Sequence, residues 1–459
     1  MSLSDQNVVY RCIKDLKPYA GNARTHSKVQ VRQIARSIET FGFVNPVLIG
    51  EDGEIIAGHG RVRAAELLGL QEVPTLTLSH LGPDQRRAYI LADNKLAQNA
   101  GWDEETLAIE LQALIDLDFD VELTGFSTAE IDLTLEAYEL GSGTDPDPED
   151  HIPDAPSEPT CSPGDLWELG PHRLLCGDAL STDDLNRLMD GQAANLIFTD
   201  PPYNVPIDGH VSGLGSIRHR EFEFASGEMT SAEFSAFLAR SLGNASSVCR
   251  DGAIAFVFMD WRHMKELLDA GASVFSELKN LCVWNKTNGG MGSFYRSKHE
   301  LVFVFKVGDA PHINNFGLGE AGRYRTNVWD YPGLSSLGSD RSASLEMHPT
   351  VKPVALISDA IKDCTRRNDI VLDAFGGSGS TLIAAESCGR IARVIEIDPI
   401  YCDTIISRWE QYTGTSAQLV GGGPTLRDTS VVQVTTAGSD TGQRVVTGRN
   451  GRGRRTGTR

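Results

Sequence analysis

From residue 165 to residue 420 the chain alternates short, mostly apolar runs with stretches of helical periodicity. The runs that read as strands are Ala194 to Thr199, Ala253 to Met259, Asn280 to Trp284, Leu301 to Lys306, Ile370 to Ala374 and Ile391 to Ile397. Strands alternating with helices build a mostly parallel sheet covered by helices on both faces. Such an α/β architecture also says where function sits, because these sheets bind ligands beyond the carboxyl ends of their strands.

The remaining sequence divides by pattern. Residues 1–95 read as a small unit with a helix from His26 to Thr40 and a hairpin joining Pro46–Gly50 to Glu54–Ala57 through Asp52-Gly53. Gly58-His59-Gly60-Arg61 then opens a helix from Val62 to Leu68, and Val73 to Leu78 is a further strand. Residues 96–140 read as an acidic helical extension. Residues 141–164, rich in Gly, Ser, Pro and Asp, read as a disordered linker, and residues 421–459 as a disordered basic tail.

The net charge of −20 argues at first against a nucleic-acid partner. Its distribution removes that argument. Leu96 to His172 holds 20 Asp and Glu and no Lys or Arg, so the rest of the chain is neutral overall. No apolar run approaches the roughly 18 residues of a membrane helix, and the opening residues do not read as a secretion signal. A cytoplasmic location without a membrane partner is expected. The eight cysteines include no C-x-x-C pair and stand near no histidine cluster, so no metal site is expected.

Two segments carry chemistry. Asp200-Pro201-Pro202-Tyr203 directly follows the apolar run Ala194–Thr199. The prolines stiffen the backbone and remove two N–H donors, leaving carbonyls free to accept. An acid, a fixed carbonyl and an aromatic face together suit a planar heterocycle bearing an exocyclic amino group. The second segment, Asp373-Ala374-Phe375-Gly376-Gly377-Ser378-Gly379, joins a strand to a helix. It matches neither the dinucleotide fingerprint nor the P-loop, which points to a nucleoside-type ligand rather than a phosphate cradle. Glu396, near the end of the next strand, is placed to accept from ribose hydroxyls.

Together these segments resemble the beta-class amino-directed DNA methyltransferases, in which the catalytic block precedes the cofactor block. Leu175-Cys176-Gly177-Asp178, Val283-Trp284-Asn285-Lys286, Tyr295-Arg296, His299-Glu300 and His348-Pro349-Thr350-Val351-Lys352-Pro353 extend the resemblance over about residues 165–415. It implies a Rossmann-like sheet that binds S-adenosylmethionine and methylates a flipped-out base in double-stranded DNA. By resemblance, Asp200, Pro201, Pro202 and Tyr203 are catalytic. Asp178, Thr350, Lys352, Asp373, Phe375, Gly376, Gly377, Ser378, Gly379 and Glu396 serve the cofactor. Asp at the first catalytic position points to adenine N6, with cytosine N4 the alternative. Target recognition is expected in residues 307–347, where Arg323 and Arg325 are candidate DNA contacts beside Asn314, Asn315, Asn327, Trp329 and Arg341. The insertion Ile207 to Phe224 is a candidate clamp on the flipped strand.

Residues 1–95 resemble the α+β ParB-like domain shared by partition proteins and sulfiredoxin. The residues that carry this are Leu16-Lys17-Pro18, Asn22-Ala23-Arg24, Gly42-Phe43, Pro46-Val47, Gly58-His59-Gly60-Arg61-Val62-Arg63-Ala64-Ala65 and Asp93-Asn94-Lys95. This resemblance implies a nucleotide or DNA contact at Arg61, and a nucleotide-gated DNA-binding protein with a secondary methyltransferase part is the competing reading. The acidic helices beyond Lys95 look unsuited to a helix-turn-helix DNA reader. A homodimer is implied by resemblance alone. A fusion of this sort suits a phage, a prophage or a solitary bacterial methylase.

Overall fold

The structure, a computed structural model, describes residues 7–141, 148–156, 158–204, 227–286, 294–317, 323–333 and 351–421. Thr350, Arg341, the insertion Ile207 to Phe224, the tail from 422 and parts of the 307–347 stretch lie outside the described residues. The chain divides into two units, Met1–Pro146 with Asn314–Arg325, and Asp147–Ile313 with Thr326–Arg459.

The first unit is built on a four-stranded sheet of β1 (Val8–Cys12), β2 (Val47–Ile49), β3 (Ile55–Ala57) and β4 (Glu72–Thr77), in the order β1-β4-β2-β3. The expected hairpin is present as the antiparallel β2–β3 pair. Helix α1 (Lys28–Phe41) begins at Ser27, whose hydroxyl accepts from the Gln30 N–H. Helix α2 (His59–Leu67) starts three residues earlier than expected, so the Gly-His-Gly-Arg segment forms its first turn. Val47, Ile49, Ile55, Val62, Ala65 and Val73 make the core.

Helix α3 (Pro83–Asn99) runs through the boundary expected at residue 95, because Pro83 fits the first helical turn and no breaker follows until Gly101. Helices α4 (Glu104–Asp116) and α5 (Thr128–Gly141) are joined by a 3₁₀ turn at Val121–Thr124. Leu111, Val121 and Ile131 form their shared core.

The second unit contains β5 (Leu166–Leu169), β6 (His172–Cys176), α6 (Thr182–Met189), β7 (Ala194–Thr199), α7 (Ser231–Ser247), β8 (Cys249–Met259), α8 (Met264–Val274), β9 (Glu277–Asn285), β10 (His299–Lys306) and β11 (Val328–Asp330). It continues with α9 (Val354–Cys364), β12 (Ile370–Asp373), α10 (Ser380–Ser387), β13 (Ile391–Glu396), α11 (Pro399–Thr413) and β14 (Gln418–Leu419). These strands form one sheet in the order β11-β9-β10-β8-β7-β12-β13-β6-β5-β14. The five strands β8-β7-β12-β13-β6 are mutually parallel, and the apolar pattern predicts four of them, β8, β7, β12 and β13. Antiparallel pairs occur outside them, where β10 reverses against β8 and β5 against β6.

Side-chain alternation along β7 serves both faces. Leu196 and Phe198 pack with Ile357, Leu382 and Ile405 of α9, α10 and α11. Ile197 packs on the other face with Leu188, Leu238 and Leu267 of α6, α7 and α8.

Residues 148–156 and 158–164 depart from the disordered linker that composition predicts. The Glu149 carbonyl accepts from Arg408 at 2.7 Å, and Asp150 accepts from the Val354 N–H at 3.0 Å. The N–H groups of Thr160 and Cys161 donate to the Asp403 carboxylate at 2.6 and 3.0 Å. These polar contacts, with Ile152 and Cys161 buried beside them, hold a stretch whose composition is poor in apolar residues.

Candidate active site

The chain leaves β7 for β8 through α7, and leaves β12 for β13 through α10, in opposite directions along the sheet. The carboxyl ends of adjacent β7 and β12 therefore flank a topological switch point, where open α/β sheets leave a crevice. Asp200 follows β7, Asp373 ends β12, Glu396 ends β13 and Asp178 follows β6. Four acids from distant parts of the sequence thus stand at the ends of four consecutive strands.

Asp200, itself half-buried, is the centre of a charge cluster in which Glu300 and Lys352 are buried. Tyr203 donates its hydroxyl to Asp200 Oδ1 at 2.6 Å and lies 3.1 Å from Glu300 Oε2. Lys352 pairs with Asp200 Oδ2 and stands 3.2 Å from Glu300 Oε2. Lys286 pairs with Glu300 Oε1. Burial, partly countered by the Lys352 ammonium, pushes the Asp200 carboxyl up. Burial also works to raise Glu300, but Lys352 and Lys286 outweigh it and hold that carboxyl at about 2. Lys352 was expected to serve the cofactor, and the structure pairs it with Asp200 and Glu300. Lys286 and Glu300 received no role from the sequence. Their signal was charge at the ends of otherwise apolar strands.

The glycine loop lies across the crevice. A Cβ on Gly376 would fall 2.5 Å from Val394 Cγ1, so only glycine lets the loop lie this close to β13. Gly377 and Gly379 hold φ of 53° and 81°, in the left-handed region. Glu396 accepts from the Gly377 N–H at 2.7 Å and the Asp398 N–H at 2.9 Å. Each oxygen keeps capacity for a second donor.

Asp373 is committed to the fold, accepting from Thr199 (3.0 Å), the Phe375 N–H (3.0 Å) and Thr381 (2.6 Å). Burial pushes its carboxyl up to about 7 against these donors. Ser378 is buried on the far side of the loop, beside Ser380 and Arg408, rather than facing the crevice. Phe375 is half-buried against Phe237, and Asp178 caps its own turn by accepting from the Leu180 N–H.

The expected DNA contacts fare unevenly. Arg323 is 6 % exposed and pairs with Glu136 at 3.6 Å, so its guanidinium is consumed within the first unit and not offered to base edges. Arg325 is half-buried. Trp329 is buried in the sheet core, and Asn327 donates to the Leu281 carbonyl. Part of the 307–347 stretch is therefore an edge strand of the sheet, β11, with Asn327, Val328 and Asp330 exposed. Arg61 donates to the Asn45 carbonyl at 3.0 Å and lines a cleft of about 450 Å³ with Gln30, Phe43 and Thr124. His59 accepts from the Tyr19 N–H at 3.3 Å, with burial lowering its basicity.

Residues 194–407 match the family described as DNA methylase, of N6/N4 type, over the switch point and the catalytic cluster. The chain carries an N6/N4 DNA methylase domain behind a ParB-like N-terminal domain. Residues 2–94 of this methylase match the ParB N-terminal domain, and residues 105–163 the ParB-methyltransferase HTH domain. The second match corrects the expectation that the acidic helices are unsuited to a helix-turn-helix. The α4–turn–α5 motif is made by its apolar core, whatever its surface charge.

The ParB-like nuclease domain-containing protein YnaK of Escherichia coli K12 is 58% identical over 80 residues, 17% of this chain and 92% of that protein. The type II methyltransferase M2.MboI of Moraxella bovis is 24% identical over 229 residues, 48% of this chain and 81% of its own. Among solved structures, the PvuII DNA methyltransferase (cytosine-N4-specific) is 16% identical, covering 63% of this chain and 98% of its own, with a TM-score of 0.41. No helix among the described residues is long and apolar enough to cross a membrane.

Proposed function

We propose that this methylase transfers the methyl group of S-adenosylmethionine to N6 of adenine at specific sites in double-stranded DNA, in the cytoplasm. The observation that carries the reading is Asp200, held with Tyr203 at the switch point opposite the glycine loop. The target amino group is engaged in pairing inside the duplex, so the base must leave the stack to reach this crevice. Asp200 and a carbonyl of the Pro201-Pro202 segment accept from the amino group, which orients its nitrogen and raises its electron density. The base stacks on Tyr203. Asp200 takes up the proton that the nitrogen sheds, and positioning supplies much of the acceleration.

The other half of the crevice fits the cofactor. Gly376 seats the loop against β13, and Asp178 and Glu396 supply acceptors for the adenosine moiety, with Phe375 beside them. When bound, S-adenosylmethionine supplies an electrophilic methyl group on a sulfonium. Burial pushes Glu396 up to about 7, with the N–H groups of Asp398 and Gly377 working the other way. A proton there removes an acceptor. Cofactor affinity measured by calorimetry is thus expected to fall as pH drops below about 7 and to level off above it, and Glu396→Gln to flatten that dependence.

Tritiated S-adenosylmethionine tests the reaction itself. After digestion to nucleosides, label is expected in N6-methyladenine. Label in N4-methylcytosine would reverse the base assignment, and unlabelled DNA would reject the enzyme. A second reading concerns the ParB-like domain. The cleft beside Arg61, at the first turn of α2, favours a nucleotide whose phosphates meet that guanidinium and the helix N–H groups. Unchanged nucleotide and DNA binding in Arg61→Ala rejects it.

A further inference from the structure

The cluster around Asp200 holds more charge than direct base recognition requires. Five chain segments converge on it: Asp200 and Tyr203 after β7, Asp373 at the end of β12, Lys286 after β9, Glu300 on β10 and Lys352 ahead of α9. Lys352 is 4 % exposed. Its ammonium lies 5.0 Å from the centre of the Phe258 ring, 5.8 Å from that of Tyr203 and 5.9 Å from that of Trp284. Aromatic walls exclude water and strengthen every charge interaction inside them.

In such a shell an aspartate without a cation takes up a proton. A protonated carboxyl has turned one oxygen into a donor and can no longer serve as a two-oxygen acceptor. The Tyr203 hydroxyl has one hydrogen to share between Asp200 and Glu300, so it cannot satisfy both carboxylates. Lys352 touches both, and Lys286 gives Glu300 a second cation. When Asp200 takes up the amino proton, Glu300 still holds the lysine in place.

We infer that Lys352, anchored by Glu300, is a positioning residue that keeps the Asp200 carboxylate ionised as the acceptor for the base amino group. The inference rests on the methyltransferase reading above. It assigns opposite signs to two neighbours. Lys352 favours the ionised form of Asp200, whereas the Glu300 and Asp373 charges oppose it.

The test is the pH dependence of single-turnover methyl transfer to DNA by the full chain. In Lys352→Met the acidic limb moves to higher pH, by about one unit, so the loss is about tenfold greater at the acid end than at the alkaline end. Lys352→Arg keeps the charge and keeps the limb. In Glu300→Gln the limb moves to lower pH, a shift that a merely damaged fold would not produce. A loss in Lys352→Met by one factor at every pH, or shifts of both variants in the same direction, overturns the inference. Wild-type protein that labels no DNA overturns the functional reading and this inference with it. Active wild type with unshifted variants overturns this inference alone.

Discussion

Asp200→Ala is expected to slow single-turnover methyl transfer by roughly 10²–10⁴-fold while leaving cofactor binding nearly unchanged. The substitution removes the acceptor that orients the amino nitrogen and receives its proton. It also strands Lys352, which loses its Oδ2 partner in a buried site. Glu300 still neutralises that lysine, so the fold is expected to survive, which a thermal melt would check. A wild-type rate in this variant would remove Asp200 from catalysis altogether.

Arg408→Met is expected to have the largest effect on the fold. Arg408 lies on α11, 2 % exposed, and burial lowers its basicity to about 10. It donates to the Ser378 carbonyl at 3.0 Å, to Ser380 Oγ at 3.1 Å and to the Glu149 carbonyl at 2.7 Å. One guanidinium thus ties the glycine loop to the segment that enters the catalytic unit. Methionine fills the space but leaves those oxygens unpaired, a loss of about 3 kcal/mol by analogy with broken buried polar pairs. Lysine is a poor substitute, since a single ammonium cannot reach the spread of acceptors that the planar fork does. Urea unfolding measures the loss. Titration with S-adenosylmethionine should show weaker binding, because the loop has lost its support from behind. Unchanged stability in Arg408→Met would mean that the loop holds itself.

What the sequence revealed was what local pattern encodes. Ala194–Thr199 followed by Asp200-Pro201-Pro202-Tyr203 is a strand and its terminal site within ten residues, and the structure begins and ends β7 as read. The glycine loop was equally local. Lys286 and Glu300 escaped assignment because their role depends on a lysine that follows them in the chain and reaches them only through the fold. Arg408 escaped although it shares the α11 face of Ile405 and Trp409, where an arginine between apolar neighbours was the available sign. β1, β11 and β14 were missed because edge strands are short and half-exposed, with little apolar pattern to show; β5 and β6 are buried inside the sheet, but runs of four and five residues interrupted by Glu168 and Arg173 are too short to stand out. Residues 148–156 and 158–164 read as linker because a few backbone hydrogen bonds and two buried side chains, Ile152 and Cys161, seat them, and composition does not register those.

The seam of the catalytic sheet has a practical consequence. Its first strand in sequence, β5, pairs directly with its last, β14, with Glu168 opposite Gln418 and Trp167 opposite Leu419. Entry and exit are therefore neighbours, so the sheet behaves as a cassette whose ends can be joined or extended with little strain. A short bridge across β5 and β14, with new ends cut elsewhere, should give a circular permutant that still assembles the same crevice. The same geometry lets domains be exchanged ahead of β5 while the crevice in the middle of the sheet stays as it is.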